Sequence, residues 1–295
     1  MVPAPRTRFL LGLIGSPIRH SASPAMHEAA ARALGLEAHY QLIDVPGASA
    51  AQLRNLLESV RLIGFSGVNV TFPYKEAVVP LLDALSEGAR AVGAVNTIVV
   101  EDGRLVGHNT DASGFARALT QRFGAVPPGP VAVIGAGGVG KAVAVALGSL
   151  PGVEIRLVDT DPGKAEALAA TLPPRTRPRL CRTVAEALDG ATGLVNGTPV
   201  GMLPNRDSPV PPDLLRPGLW VADAVYSPLW TPLLREAARR GAPVMTGRDL
   251  ALHQAIDAFR LFTGHDAPES AMARAFDATA GDPAEDAASP ARRAG

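Results

Sequence analysis

One stretch, Val131 to Leu147, constrains this chain more than any other. Val131 to Ile134 is an unbroken apolar run of strand length. Gly135, Ala136, Gly137, Gly138, Val139 and Gly140 follow it directly, and Lys141 to Leu147 continues as an apolar helix. Gly135, Gly137 and Gly140 fill the three slots of G-x-G-x-x-G. The first glycine permits a tight turn, the second lets backbone approach a pyrophosphate, and the third lets helix and strand pack closely. The helix N-terminus then stabilises the anion. A bare match of this motif is weak, but between a strand and a helix it predicts a βαβ dinucleotide-binding unit.

Such a unit expects an acidic residue about twenty positions on, at the tip of the second strand, accepting from a ribose 2'-hydroxyl. The strand pattern Val153 to Asp159 ends on that residue. A carboxylate there repels a 2'-phosphate, so Asp159 favours NAD over NADP. The alternative is that Asp159 or Asp161 caps the helix entered at Pro162, a position that suits Asp161 better.

Elsewhere, short apolar runs alternate with amphipathic segments, the pattern of an α/β protein with mostly parallel strands. Strands are expected at Leu10 to Ile14, Ala38 to Val45 and Gly67 to Thr71. A hairpin of Ala94 to Val100 with Arg104 to Gly107 should turn at Asp102-Gly103. Helices are expected at Pro24 to Leu34, Ala51 to Ser59 and Glu76 to Leu85. Phe123 to Pro130, with three prolines and two glycines, is the clearest break. Beyond the dinucleotide loop, helix is expected at Pro162 to Thr171 and from Thr183, where Thr183 and Glu186 have capping-box spacing. Strands should follow at Gly193 to Asn196, Leu219 to Val225 and Pro243 to Met245, and a helix at Leu250 to Thr263. From Gly281 the chain lacks periodicity and reads as a disordered tail, 281–295.

Composition narrows the partners. The chain has 295 residues, enough for two cores, and its 28 basic and 28 acidic side chains form no long like-charge run. That argues against nucleic acid or an anionic membrane and for a small-molecule ligand. A single cysteine, Cys181, allows no disulfide framework, and the 6 histidines show no helical pair spacing, so no metal site is expected. The segment Met1 to Ile14 is too short in its apolar run for a signal peptide, and a cytoplasmic location is expected.

Four polar segments lie where periodicity does not require them: Ile14 to His27, Val68 to Lys75, Gly93 to Thr97, and Gly107 to Gly114. With the Gly-rich loop, the run Asn196 to Met202, Asp223 to Tyr226, Thr231 to Leu234 and Gln254, these blocks occur in the order seen in shikimate dehydrogenases and their quinate-using relatives. Over about residues 8 to 265 the chain resembles that family. The resemblance implies a substrate domain of residues 1–110, completed by 248–280, and a doubly wound Rossmann-type domain of residues 111–247, with the active site in the cleft. It also implies reversible oxidation of a ring hydroxyl in a small polyol carboxylate.

Residue by residue, the resemblance implies that Ser21 and Ser23 bind the carboxylate. Thr71, Asn96, Asp111 and Gln254 would hold ring hydroxyls, and Tyr226 would close over the substrate. Thr198 and Gly247 join the glycine loop in holding the cofactor. Lys75 and Asp111 are the expected proton-transfer pair. Hydride reduction of a carbonyl leaves an alkoxide, so a donor whose pKa can approach neutrality is needed, and a partly buried lysine oriented by a carboxylate can serve. Lysine is scarce here, standing only at positions 75, 141 and 164. The structural alternatives are helix capping for Ser23 and backbone satisfaction for Asn96 and Thr71.

Two departures stand out. The usual Asn-Arg-Thr run of NADP-binding members is replaced by Asp159-Thr160-Asp161, and Gly-x-x-Met-Leu appears as Gly247 to Ala251. Both look like the NAD-using quinate/shikimate branch, with NADP also admitted. An aminoshikimate dehydrogenase, a folate-type two-domain dehydrogenase and a non-catalytic dinucleotide or metabolite sensor are the rival readings. A monomer or homodimer is expected.

Overall fold

The protein is described by a computed structural model over residues 7–280, apart from residues 127, 174, 175 and 177. The expected disordered tail, 281–295, lies outside the described residues. The described residues divide into two compact units, 7–110 with 254–279, and those within 111–253.

The first unit runs β1 (Arg8–Gly15), α1 (Ser23–Ala33), β2 (Glu37–Asp44), α2 (Ala50–Ile63), β3 (Gly67–Val70), β4 (Ala84–Leu85), α3 (Glu87–Val92), β5 (Thr97–Glu101) and β6 (Arg104–His108). Its six-stranded sheet has the order β2-β1-β3-β5-β6-β4. β2, β1 and β3 are parallel, whereas β3, β5 and β6 pair antiparallel. The antiparallel part is the expected hairpin. Asp102 and Gly103 have φ of 48° and 74°, the double positive φ that a two-residue turn needs to match the strand twist.

Registers Asn69↔Thr97 and Thr97↔His108 have a functional consequence. The segments after β1, β3 and β6, and the one before β5, all emerge at one end of this sheet. Four polar blocks scattered over about a hundred residues are thereby gathered without any single long-range motif.

The helix expected over Glu76 to Leu85 does not form. Pro80 has no N–H for an α-helical bond to Glu76, and the chain instead makes one tight 3-10 turn over Val79–Leu81 before extending at Leu82. Ala84–Leu85 then pairs with β6. Asp83 secures the change of direction, donating its N–H to Leu105 at 3.0 Å and accepting from Leu105 at 2.7 Å.

The second unit contains α4 (Asp111–Phe123), β7 (Gly129–Ile134), α5 (Gly138–Gly148), β8 (Val153–Val158), α6 (Pro162–Thr171), β9 (Arg179–Leu180), α7 (Val184–Leu188), β10 (Gly193–Asn196), β11 (Trp220–Asp223), α8 (Pro232–Arg239) and β12 (Val244–Met245). Helix α9 (Gly247–Thr263) supplies residues to both units, and α10 (Glu269–Ala280) belongs to the first. The second sheet is wholly parallel, order β12-β11-β10-β7-β8-β9. Strand order reverses between β7 and β10, and such a reversal leaves a crevice beyond the carboxyl ends of the two strands. Helices α3, α4, α8 and α10 and strand β9 are additions to the expected element list. Phe115, Ala118 and Leu119 give α4 a buried stripe, and Met272 and Phe276 give α10 another.

At α7 the expected capping box is half present. Thr183 accepts from Glu186 N–H at 3.1 Å, but Glu186 accepts from Arg182 N–H rather than from Thr183.

One core residue makes the first unit pH-sensitive. His27 on α1 is fully enclosed, with its ring stacked on Tyr40 at 4.9 Å and flanked by Phe259 and Phe262. Its Nδ1 is buried with no hydrogen-bond partner among the described residues, and burial lowers its pKa from 6.5 to about 3. Between those values the unfolded chain binds a proton that the folded one refuses, so stability is full above 6.5 and falls as pH drops towards 3. Lowering pH from 6.5 to 4.5 should cost about 2–3 kcal/mol through this residue. Urea unfolding of wild type and His27→Phe at both pH values checks it. Equal acid losses in the two proteins would refute the assignment.

Candidate active site

The residues of the first unit that the family resemblance assigns to the substrate lie about the gathered end of its sheet. Ser21 and Ser23 are half-buried, with hydroxyls 3.1 Å apart, Ser21 donating. Ser23 N–H also donates to Ser21 Oγ at 3.2 Å. Helix α1 takes Ala22 as its N-cap with no side-chain cap, so the capping alternative for Ser23 is not what the fold uses. Ser23 accepts from Ser21 and keeps its own proton to donate towards a carboxylate, and Ser21 can do the same once its hydroxyl turns away from Ser23.

Thr71 leaves β3 with its N–H on Ile14 carbonyl at 2.9 Å and its carbonyl accepting from Tyr74 at 2.9 Å. This turn delivers Lys75, half-buried, whose carbonyl accepts from Val95 N–H at 2.8 Å. Val70 N–H donates to Asn96 carbonyl at 2.8 Å. Lys75 is thus pinned by backbone bonds to the segment that carries Asn96, which sequence spacing could not reveal.

Asn96 is 3 % exposed and lies at the centre of a polar network. Its Oδ1 accepts from Thr110 N–H at 2.8 Å and from Thr97 Oγ1 at 3.1 Å. Its Nδ2 therefore faces Thr110 Oγ1 at 2.8 Å and Gln254 Oε1 at 3.4 Å. Behind it, Asn69 donates to Asn96 carbonyl and Thr97 Oγ1, and accepts from Tyr40 hydroxyl at 2.8 Å. Asn96 does satisfy backbone, as its structural alternative required, and the same bonds fix its amide orientation. Nothing local in the sequence marks Asn69 and Tyr40 for this network. The signal is a polar residue inside a four-residue strand buried on both faces, which the fold supplies.

In the second unit, Asp111 opens α4 and is buried. Gly135 has φ of 93°, and its N–H donates to Val158 carbonyl at 2.9 Å. A Cβ on Gly140 would lie 1.9 Å from Gly135 carbonyl oxygen, whereas one on Gly137 would meet nothing within 4 Å. The third glycine is required by close packing and the second faces open space, the arrangement that leaves room for a pyrophosphate over α5's N-terminus. Ala136 lies in the loop, and Gly138 and Val139 are the first two residues of α5.

Asp159 follows β8 and accepts from Ala136 N–H at 2.7 Å through one oxygen and from Asp161 N–H at 2.8 Å through the other. The cap of α6 is Asp161, accepting from Gly163 N–H at 3.0 Å. Asp159 is therefore not the cap. It ties the glycine loop to the tip of β8; its Oδ1 also accepts from Thr160 hydroxyl at 3.4 Å, and its Oδ2 keeps a further lone pair for a hydroxyl donor.

Thr198 lies after β10, its Cγ2 2.6 Å from where a Gly135 Cβ would sit. Tyr226 follows β11, half-buried. Gly247 starts α9 against that same loop, where a Cβ would come 2.3 Å from Val225 carbonyl oxygen. The glycine loop, Asp159, Thr198, and Gly247 with the β11 loop thus line the carboxyl ends of the parallel strands, and these residues fit a dinucleotide.

Residues 13–98 match the family described as shikimate dehydrogenase substrate binding domain, and residues 247–275 match the shikimate 5'-dehydrogenase C-terminal domain. A quinate/shikimate dehydrogenase (NAD+) of Corynebacterium efficiens is 45% identical over 264 residues, 87% of this chain and 93% of that relative. A shikimate dehydrogenase (NADP+) of Streptomyces avermitilis is also 45% identical, over 89% of this chain and 92% of its own. Among solved structures, quinate dehydrogenase from Corynebacterium glutamicum in complex with NAD superposes with a TM-score of 0.84 at 40% identity, covering 92% of this chain and 99% of that one. Shikimate 5-dehydrogenase from Thermus thermophilus in complex with NADP(H) and shikimate gives 0.82 at 41%, covering 92% and 99%.

Proposed function

Because the chain belongs to the shikimate dehydrogenase family, we propose, beyond the activity that membership brings, that it prefers NAD to NADP and oxidises both shikimate and quinate. The activity itself is that of an NAD(P)-dependent shikimate/quinate dehydrogenase acting on a CH–OH group. When bound, the nicotinamide supplies the hydride acceptor.

The chain's own residues do the rest of the work in this reading. Ser21 and Ser23 donate to the substrate carboxylate. Thr71, Asn96 and Gln254 hold ring hydroxyls, and Asn96 enters with its amide already oriented by Thr97 and Thr110. Asp111 accepts from a ring hydroxyl, and Lys75 takes the hydroxyl proton during oxidation and returns it during reduction. Tyr226 closes over the substrate. A pre-set amide loses little entropy on binding, so the hydrogen bonds add to affinity rather than to ordering.

The cofactor preference rests on Asp159. Its carboxylate stands at the end of β8, and Thr160 and Asp161 after it carry no cation to offset a 2'-phosphate. Like-charge juxtaposition should cost a few kcal/mol, a preference for NAD of at least about tenfold. Catalytic efficiency measured for shikimate and quinate with each cofactor tests the reading. Higher efficiency with NADP would overturn the Asp159 argument, and loss of quinate turnover alone would restrict the substrate to shikimate.

Among the described residues no helix is long and apolar enough to cross a membrane. A cytoplasmic monomer or homodimer completes the proposal, the lone Cys181 fitting a reducing compartment.

A further inference from the structure

Asn196, Asp223 and Thr231 form a buried polar chain to which the reaction assigns no part. They are 0 %, 1 % and 0 % exposed, at the last residue of β10, the last residue of β11 and the N-cap of α8. Asn196 Oδ1 accepts from Thr198 N–H at 3.0 Å and Thr198 hydroxyl at 2.7 Å, which directs its Nδ2 to Val200 carbonyl at 3.1 Å and Asp223 Oδ1 at 2.9 Å. Asp223 Oδ1 also accepts from Val225 N–H at 2.9 Å, and Oδ2 accepts from Thr231 hydroxyl at 2.7 Å. Thr231 Oγ1 in turn accepts from Leu234 N–H.

Both loops so anchored press on the cofactor site. Thr198 packs on Gly135, a Gly197 Cβ would come 3.0 Å from Gly140 Cα, and Val225 carbonyl lies against Gly247. We propose that Asp223 is a positioning residue for dinucleotide binding, a carboxylate strut that holds the β10 loop through Asn196 and the β11 loop through Val225 and Thr231 at the distances the glycine loop requires. Burial pushes its carboxyl up to about 6 and its three hydrogen bonds oppose that rise, so at neutral pH it is the acceptor-only anion that three converging donors demand. Removing it would leave three buried donors without an acceptor.

The proposal rests on the dinucleotide reading but not on substrate identity, so direct binding is the test. NADH and NADPH affinities are measured by fluorescence titration for wild type, Thr231→Ser, Thr231→Val, Asp223→Asn and a stability control, Leu168→Ala, whose side chain is buried in α6. Thr231→Val should weaken binding of the tighter cofactor about tenfold, Asp223→Asn at least as much, and Thr231→Ser less than twofold. Leu168→Ala should lower the melting temperature without changing affinity. Unchanged affinity in Thr231→Val, or equal weakening in Leu168→Ala, would overturn the strut. Wild type that binds neither cofactor would instead overturn the dinucleotide reading and the strut with it.

Discussion

Lys75→Ala should lower turnover by about two to four orders of magnitude while the Michaelis constant for shikimate stays within about tenfold. In the proposed reaction the amine acts chiefly where charge develops, on the alkoxide of the transition state, and only interactions stronger there than in the ground state accelerate chemistry. In the same proposal the substrate's other groups are held by separate side chains, so affinity should largely survive. Lys75 is also fixed by its backbone: the Thr71 to Tyr74 turn and the bond from Val95 hold its Cα whatever side chain it carries. The variant should therefore fold as wild type does, making the loss chemical. Steady-state rates at saturating substrate and cofactor check it, and near wild-type turnover would remove Lys75 from the proton transfer.

Gly140→Ala and Gly137→Ala should fail for opposite reasons, although both glycines belong to one motif. A methyl group at Gly140 meets Gly135 oxygen at 1.9 Å and Gly135 carbon at 2.7 Å, backbone atoms that cannot rotate away. Either α5 or the turn must move by more than an ångström, costing about 1–3 kcal/mol as overpacking does. The displaced N–H groups then no longer converge on the anion, and NADH affinity should fall by about a hundredfold. Gly137 has φ of −77° and open space around its missing side chain, so Gly137→Ala should leave unfolding unchanged. Its methyl would stand where the pyrophosphate approaches, and affinity should fall at least about tenfold. Thermal unfolding without cofactor, set beside NADH titration, separates the two. A Gly140→Ala protein as stable as wild type, or a Gly137→Ala protein with wild-type affinity, would refute the respective role.

What the sequence determined by itself was local. The glycine loop was legible because strand, turn and helix are contiguous, so spacing alone encodes the geometry. The Asp102-Gly103 turn and the Asp161 cap were legible for the same reason, since each is decided by bonds reaching only two or three residues along the chain. The spacing predicts a helix over Glu76 to Leu85, but Pro80 interrupts it, and pairing with β6 settles what that spacing leaves open. Helices α4 and α10 went unread because one begins inside a polar block and the other shows only a few buried positions among alanines.

Tertiary structure alone decided how residues far apart in the chain serve one another. Asn69 meets Asn96 across 27 positions, Asn196 meets Asp223 across 27, and Asn96 meets Gln254 across 158. No local spacing predicts these bonds, because they are set by sheet register and strand order. Composition likewise left His27 as one polar side chain on a helix. Only the packing of Tyr40, Phe259 and Phe262 around it excludes water, and that exclusion, rather than any neighbouring charge, is what lowers its pKa.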